Sequence, residues 1–305
     1  MKNKAYIARP WTFKFEMSMG CNLKCKFCPV YATPSLQDPA KRRFMDPKKL
    51  RAIARSCNEL NPTARIELAM RGEPTLNPQI LENMRILREE MPKAQISMFS
   101  NGTTFLQGKL GMNDLIDAGV NILCVDCYNG TYKRFESMAK LQAGDDITVQ
   151  DFRKFSAYGR HSGGHRMRTI VLVPDIGDKD KAGKPLVRVR EIHNNAGNAD
   201  ADMLLTHFDV PALEEPLEKK CARPFREFVV NYDGSVVICC HDWKSKDIMG
   251  WMPKQSAAEI WYGDKHLQIL RALYRKDRSH APCDTCDYKG GFRLGFLQDP
   301  FKKKA

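Results

Sequence analysis

The stretch "CNLKCKFCP", Cys21 to Pro29, places three cysteines within eight residues, and the next cysteine, Cys57, lies far along the chain. The spacing is C-x3-C-x2-C, and it follows the strand-like segment "TFKFEMS". Three thiolates suit a [4Fe–4S] cluster in which the fourth iron has no protein ligand and stays open to another molecule. The stretch therefore predicts an iron–sulfur site on the loop after the first strand. A zinc knuckle or a chance cluster of cysteines is the alternative.

Outward from this loop, strand-like and helix-like segments alternate along the chain. The helix-like segments include residues 46–60 and 77–91, where Asp46 and Asn77 are expected N-caps. The candidate strands are "TFKFEMS", "RIELAM", "QISMFS", "NILCVD", "RTIVLVP" and "DMLLTHF". Six βαβ units of roughly 30 residues each would end near residue 208, which is short of an eight-fold barrel. The pattern predicts an α/β fold, a partial (β/α)6 TIM-like barrel with the active loops at the carboxyl ends of its strands.

A second, smaller domain is expected after this core, so that residues 1–210 form the barrel and residues 211–305 the second domain. The boundary coincides with the proline- and charge-rich stretch "DVPALEEPLEKK". Beyond it, "FREFVVNYDGSVVICC" predicts a β-hairpin that turns at Asp233-Gly234, and a helical segment and "CDTC" follow. Because this tail is too short to bury a large core, we expect bound metal to hold it together.

Composition places the chain among ordinary globular proteins, with 43% hydrophobic and 28% charged residues. It contains neither a signal peptide nor an apolar run long enough to span a membrane, so we expect a cytoplasmic protein. Eleven clustered cysteines fit metal binding in that reducing compartment better than a disulfide framework. The formal charge of +13, with basic clusters at residues 41–43 and 302–304, leaves nucleic acid open as a partner beside the simpler explanation of solvated basic faces.

The cysteine loop resembles that of the radical S-adenosylmethionine (SAM) superfamily, in which an aromatic residue, here Phe27, precedes the last cysteine. The resemblance implies that Cys21, Cys25 and Cys28 bind the cluster whose open iron chelates SAM. The segment "MRGEPTL" is similar to the glycine-glycine-glutamate-proline motif of the family at Gly72, Glu73 and Pro74, and Arg71 departs from it. The implied role of Glu73 is to receive the SAM amino group. Glycine lets the backbone approach a neighbour closely.

Two further segments extend the resemblance, which spans about residues 11–210. "FSNGT" is a form common in the family and makes Ser100 and Asn101 candidates to face SAM. Strand alternation puts Cys124 and Asp126 on one face and Cys127 on the other. We expect Asp126 to point inward as a contact for SAM or substrate and as a candidate catalytic group, although an ordinary polar strand end remains the alternative.

The C-terminal cysteines resemble the auxiliary-cluster domain called SPASM in its shortened "twitch" form. The resemblance implies that Cys221, Cys239, Cys283 and Cys286 bind one auxiliary [4Fe–4S] cluster, and the spacing from Gly234 favours Cys239 over its neighbour Cys240. Four thiolates close every iron position, which leaves electron transfer and structure as roles for that cluster. A zinc ribbon is the rival. The remaining cysteines, Cys57, Cys124 and Cys127, are expected to be buried as small apolar side chains.

The resemblance implies a radical SAM oxidoreductase. Reductive cleavage of SAM gives a 5′-deoxyadenosyl radical, which removes a hydrogen atom from a substrate, and the auxiliary cluster accepts an electron in a dehydrogenase-type oxidation. Flavodoxin or ferredoxin is the expected electron donor, and the substrate is a small molecule or a peptide. The base candidates Asp126, Tyr128, His207 and Asp209 cannot be separated by spacing. A peptide-modifying maturase or epimerase is the alternative enzyme, and a metal-stapled protein that binds nucleic acid is the non-enzyme alternative.

Overall fold

The computed structural model of the protein describes residues 7–68, 70–155, 164–175 and 192–290. In these ranges the strands are β1 Thr12–Phe15, β2 Ser18–Met19, β3 Arg43–Phe44, β4 Arg65–Leu68, β5 Gln95–Ser100, β6 Ile122–Cys127, β7 Thr148–Asp151, β8 Thr169–Pro174, β9 Glu227–Val230, β10 Ser235–Val237 and β11 Ile248–Trp251. The α-helices are α1 Pro47–Leu60, α2 Ile80–Glu90, α3 Thr103–Leu106, α4 Met112–Asp117, α5 Tyr132–Ala143, α6 Ala201–Phe208, α7 Ala257–Trp261 and α8 Asp264–Tyr274. The predicted basic cluster at residues 302–304 lies outside the described residues.

One large sheet organises the molecule, in the order β11-β10-β9-β1-β4-β5-β6-β8-β7. The run from β9 through β7 is parallel, and β10 and β11 add antiparallel strands at one edge. Helices α1, α2, α4 and α5 connect successive parallel strands, as a βαβ pattern requires. This arrangement confirms the predicted α/β class with a partial barrel.

One of the six predicted strands is wrong. The segment "DMLLTHF" forms helix α6, because Asp200 accepts a hydrogen bond from Met203 N at 2.9 Å and so caps a helix start. A short apolar run fits a buried strand or a helix equally well, and the capping residue decides between them here. The sixth parallel strand of the barrel is instead β7, whose exposed and half-buried residues carry little strand signal.

The predicted helix caps differ in outcome. Asp46 caps α1, and its carboxylate accepts a hydrogen bond from Lys49 N at 2.9 Å. Asn77 is wrong as the cap of α2, which begins at Ile80. The Asn77 side chain instead accepts from Gln79 N and donates to Met17 O, each at 2.9 Å, and so ties a turn to the first strand region.

The predicted hairpin is present as β9 and β10, with Gly234 at the turn in the left-handed region at φ +93°. Strand β9 pairs in parallel with β1, so the hairpin extends the main sheet instead of forming a separate one. The predicted helical segment after it is two helices, α7 and α8, which are separated at Gly263.

The core has two parts, one on each face of the sheet. The larger part packs the helices against one face, with Phe13, Phe15 and Cys57 fully buried. The smaller part lies on the other face, around Ile122, Cys124 and Val171. Among the described residues, no helix has the length and apolar character to cross a membrane.

Candidate active site

The first three cysteines lie together on the loop between β2 and β3, all half-buried. Burial, together with the neighbouring thiols of Cys28 and Cys21, raises the pKa of Cys25 to about 12. Burial likewise raises the pKa of Cys28 to about 11, with Cys21 acting in the same direction. Three thiols that influence one another in this way need a cation to be held as thiolates, which is what iron supplies.

Gly72 holds this loop against the end of β4. Its backbone forms a parallel bridge with Gly20, and a Cβ at Gly72 would lie 2.4 Å from both Gly20 O and Ser18 O. Only glycine permits this approach. The close approach at Gly72 therefore brings the end of β4 against the backbone that leads into the cysteine loop.

Glu73 is the centre of a buried hydrogen-bond network that joins β4 to β5. Its carboxylate accepts hydrogen bonds from Thr75 Oγ1 at 2.7 Å, Ser100 Oγ at 2.8 Å, Asn101 N at 2.7 Å and Thr75 N at 3.1 Å. Burial raises the pKa of Glu73, and these hydrogen bonds act against the increase. Pro74 follows at the first turn of a short 3₁₀ helix. The structure thus brings Gly72, Glu73, Pro74 and Ser100 together.

Asn101 connects that network to the cysteine loop. Its Nδ2 donates to Asn22 Oδ1 at 2.9 Å and lies 3.6 Å from Cys21 Sγ. Its Oδ1 accepts from Thr103 N and from Thr103 Oγ1 at the start of α3. Asn101 therefore lies where the predicted cluster loop meets the carboxyl end of β5.

Arg71, which departs from the family motif, forms a buried ion pair with Glu16. Nε and Nη2 each donate to a different Glu16 oxygen at 2.7 Å, in the bidentate geometry that favours arginine. Nη1 donates to Trp243 O at 3.0 Å. The side chain therefore joins the motif after β4 to the loop that follows the C-terminal hairpin.

A cavity of about 420 Å³ opens beside the cysteine loop. Its lining includes Phe27, Cys28, Asp126, Tyr128, Arg223 and His241. Phe27 also packs against Tyr128 and against Phe208 of α6, with ring centroids 6.3 and 6.1 Å apart. Burial raises the pKa of Asp126 to about 7, and the charge of Glu73 acts in the same direction. Asp126 thus lies on the inner face with Cys124, and Cys127 packs in the larger core on the opposite face, as alternation predicts.

Of the four base candidates, Asp126 and Tyr128 line the cavity, whereas His207 and Asp209 are exposed on and just after α6. His207 Nε2 lies 3.2 Å from Lys26 Nζ. The structure therefore separates residues that sequence spacing left equivalent.

The other cysteines surround a second, smaller cavity in the C-terminal region. Its lining includes Cys221, Cys239, Cys283, Cys286, Arg223, His241, Arg278 and Tyr288. Cys240 is not among the lining residues, and its Sγ lies 3.4 Å from Arg223 Nη1 and 3.7 Å from Lys14 Nζ. A hydrogen bond from Cys239 lowers the pKa of Cys240 to about 6, and the charges of Lys14 and Arg223 act in the same direction. The donor set of this cavity, four thiols and two arginines, matches the chemistry of an anionic iron–sulfur cluster. Cys57, Cys124 and Cys127 are fully buried, as predicted.

The positive charge of Arg278 opposes the effect of burial on the pKa of the thiols around the second cavity. Burial raises the pKa of Cys221 and Cys283, and it raises that of Cys286 to about 11, while Arg278 lowers the pKa of all three. Within the described ranges, no three His, Cys, Asp or Glu side chains converge closely enough to hold one metal ion. A four-iron cluster takes one thiolate at each iron, so its ligands need not meet at a single point.

Sequence reasoning missed Arg223 and His241, which line both cavities and so form the wall between them. Each follows a cysteine of the second set by two residues, and that spacing was the available signal. His241 Nδ1 lies 3.9 Å from Cys286 Sγ, and its ring lies 6.2 Å from that of His193, another residue of the first cavity.

Comparison with known proteins identifies the class. The Radical SAM superfamily matches residues 15–181, and the iron–sulfur cluster-binding domain SPASM matches residues 221–287. The chain therefore belongs to the Radical SAM superfamily and carries a SPASM domain, as predicted. It is a radical SAM oxidoreductase whose cofactors are SAM, a SAM-binding [4Fe–4S] cluster and an auxiliary [4Fe–4S] cluster.

Among individual proteins, the chain is similar to the S-adenosyl-L-methionine-dependent 2-deoxy-scyllo-inosamine dehydrogenase of Niallia circulans. The two are 22% identical over 273 residues, which cover 89% of this chain and 90% of the dehydrogenase. The solved structure of BtrN in complex with AdoMet and 2-DOIA matches with a TM-score of 0.64 and 19% identity, covering 91% of this chain and 93% of BtrN. Native anSMEcpe with bound AdoMet matches with a TM-score of 0.50 and 18% identity, covering 87% and 84%. These structural likenesses establish the shared fold.

Proposed function

We propose that the protein dehydrogenates an alcohol carbon of a small polar molecule, and that the large cavity is its substrate site. One observation carries the proposal: the cavity is bounded by Cys28 of the first cysteine set and by Arg223 and His241 in the wall of the second. A substrate in this cavity would lie between a radical source and an electron acceptor. The name of the dehydrogenase from Niallia circulans supports this choice of reaction.

The proposed ligands of the first cluster are Cys21, Cys25 and Cys28, and those of the auxiliary cluster are Cys221, Cys239, Cys283 and Cys286. When bound, the two clusters and SAM supply the 5′-deoxyadenosyl radical that removes a substrate hydrogen atom, and an acceptor for one electron. The network of Glu73, Ser100 and Asn101 would hold SAM against the first loop. The division into a core of residues 1–210 and an iron–sulfur unit of residues 211–305 remains part of this proposal.

Asp126 is the proposed base for the hydroxyl proton of the substrate. It lines the cavity, and a pKa of about 7 suits a group that must accept a proton at neutral pH. Tyr128 lines the same wall, and burial raises its pKa well above the ordinary value, so the phenol stays protonated and can donate a hydrogen bond. Phe27 and Trp243 add apolar surface to the cavity wall.

The proposed electron donor is an acidic flavodoxin or ferredoxin in the cytoplasm. Exposed basic side chains, Lys24, Lys26, Lys41 and Arg43, lie on the segment that carries the first cysteine set. A negatively charged protein would be attracted to this surface, and its rate of electron delivery would decrease as the ionic strength increases. Stopped-flow reduction at several salt concentrations measures this dependence.

Anaerobic reconstitution tests the enzyme assignment. We expect about eight irons per chain, which is two four-iron clusters, and release of 5′-deoxyadenosine that depends on a reductant. Deuterium on the carbinol carbons of 2-deoxy-scyllo-inosamine and related aminocyclitols should appear in 5′-deoxyadenosine when the labelled compound is a substrate. Transfer from a peptide and from none of these small molecules would contradict the proposal and favour the peptide-modifying alternative.

Three cysteine variants test the auxiliary cluster. Cys283→Ala should keep reductive SAM cleavage and lose product formation, because the electron acceptor is removed. Cys239→Ala should lose about four irons, whereas Cys240→Ala should keep the iron content of the parent, since Cys239 lines the four-cysteine cavity and Cys240 is not part of its lining. Full product formation by Cys283→Ala would overturn the role of the cluster as electron acceptor.

A further inference from the structure

Arg278 is a buried cation whose described partners are all backbone carbonyls. It is 2% exposed, and it lines the four-cysteine cavity. Nε donates to Lys219 O at 2.8 Å, Nη1 to Tyr288 O at 2.8 Å and to Cys286 O at 3.4 Å, and Nη2 to Lys220 O at 3.3 Å. Among the ion pairs of the described residues, none includes Arg278.

The buried charge of Arg278 has no counter-ion among the described residues. A guanidinium stays charged in proteins, and a buried charge without a counter-ion is costly. The other arginine of the same cavity shows the usual solution, since Arg223 Nη1 lies 3.1 Å from Glu227 Oε1. The carbonyl dipoles around Arg278 orient the guanidinium but add no negative charge. The natural counter-charge is therefore an anion inside the cavity that Arg278 lines.

We propose that Arg278 is the counter-charge of the auxiliary cluster and sets its reduction potential. The inference rests on the proposed function, which assigns that cluster to the four thiols of this cavity. A [4Fe–4S] cluster with four thiolates is anionic, and its reduction adds one more negative charge. A fixed positive charge in a low-dielectric wall favours the reduced form, so Arg278 makes the cluster a better acceptor of the substrate electron.

Two variants of Arg278 distinguish the effect of its positive charge from the effect of its hydrogen bonds. Arg278→Gln removes the charge and keeps a hydrogen-bond donor, whereas Arg278→Lys keeps the charge and loses the planar fork. Arg275→Gln is the matched control, because it removes one positive charge from an exposed residue next to α8. All variants are made in the full holoenzyme.

The measurement is a potentiometric titration followed by electron paramagnetic resonance. Addition of SAM changes the signal of the cluster that binds it, which sets the two clusters apart. Arg278→Gln should make reduction of the auxiliary cluster at least about tenfold less favourable, a shift of about 59 mV to lower potential for a one-electron couple. Arg278→Lys and Arg275→Gln should stay close to the parent.

Loss of the cluster in Arg278→Gln together with a parent-like potential in Arg278→Lys would also support the role of charge. An unchanged potential in Arg278→Gln would overturn the inference. Equal loss of the cluster in both Arg278 variants would overturn it too, because Arg278 would then act through its fork of hydrogen bonds. If the parent itself holds a single cluster, the proposed function fails before any variant is compared, so the two failures are distinguishable.

Discussion

Replacement of Arg71 by glycine, the residue usual in the family motif, should destabilise this protein strongly. Arg71 is 8% exposed, its partner Glu16 is fully buried, and two hydrogen bonds of 2.7 Å join them. Removal of one partner from a buried ion pair costs about 3–5 kcal/mol, because the remaining charge stays uncompensated. Arg71→Gly should therefore lower the free energy of unfolding by an amount in this range, although it restores the common motif.

The double variant Arg71→Gly/Glu16→Gln separates the charge effect from the lost volume. It removes the stranded carboxylate while keeping an acceptor for Tyr232 N, which lies 3.2 Å from Glu16 Oε2. We expect it to recover about 1–3 kcal/mol relative to the single variant, as coupled neighbours do. Lys140→Ala, which breaks the exposed pair with Glu136, should cost only about 0.5 kcal/mol.

Anaerobic urea denaturation measures these differences as shifts of the midpoint at constant slope. Substrate affinity should also fall in Arg71→Gly, because Arg71 holds Trp243 O at 3.0 Å and Trp243 lines the substrate cavity. A loss below about 1 kcal/mol, or no recovery in the double variant, would refute this account of the ion pair.

Three further predictions concern single side chains. Asp126→Asn should abolish product formation. In the parent, the rate of product formation should rise with pH through about 7, where Asp126 becomes ionised, and a pH–rate profile tests this. An Asn variant with parental activity would rule Asp126 out as the base. Because the pKa of Asp126 is higher in the folded than in the unfolded state, its ionisation should also reduce stability between about pH 4 and 7, a slope that the Asn variant lacks. Gly72→Ala should lower the free energy of unfolding by about 1–3 kcal/mol and lower the iron content of the first cluster, since the new Cβ would lie 2.4 Å from Gly20 O. The control is Gly108→Ala, which has open space around it at φ +66°. It should lower the free energy of unfolding by about 1 kcal/mol through backbone strain and keep the iron content of the parent. Cys57→Ser should lose about 1–3 kcal/mol by placing a hydroxyl in the apolar core, with the iron content of the parent; reduced iron would show that Cys57 is a ligand.

Local spacing made the two cysteine sets and most of the sheet predictable. The cysteine loop, the hairpin turn at Asp233-Gly234 and the cap at Asp46 each depend on residues a few positions apart, and such signals are visible in a sequence. The strand that was wrong, "DMLLTHF", shows the limit, because its capping residue Asp200 lies outside the apolar run that attracted the interpretation.

Contacts between distant segments were not predictable in the same way. Arg71 looked like a weakened motif, yet it meets Trp243 more than 170 residues later. Arg278 looked like one of many scattered basic residues, and only folding brings it to Lys219 O and Lys220 O, which lie 59 and 58 residues earlier. Neither pairing leaves a local trace, because the partners are backbone carbonyls that every residue possesses.

The charges around the two cysteine sets favour one direction of electron flow. Burial and the neighbouring thiols raise the pKa of both Cys25 and Cys283, so these two effects do not distinguish the sites. The sites differ in the charged groups beside the cysteines, because the carboxylates of Asp126 and Asp175 raise the pKa of Cys25 further, whereas the Arg278 cation opposes the increase at Cys283. A fixed cation favours additional negative charge and a carboxylate opposes it, so these groups should make reduction harder at the first cluster than at the second. We therefore expect the auxiliary cluster to have the higher reduction potential in the holoenzyme, and the reverse order in an electron paramagnetic resonance titration would contradict its role as acceptor.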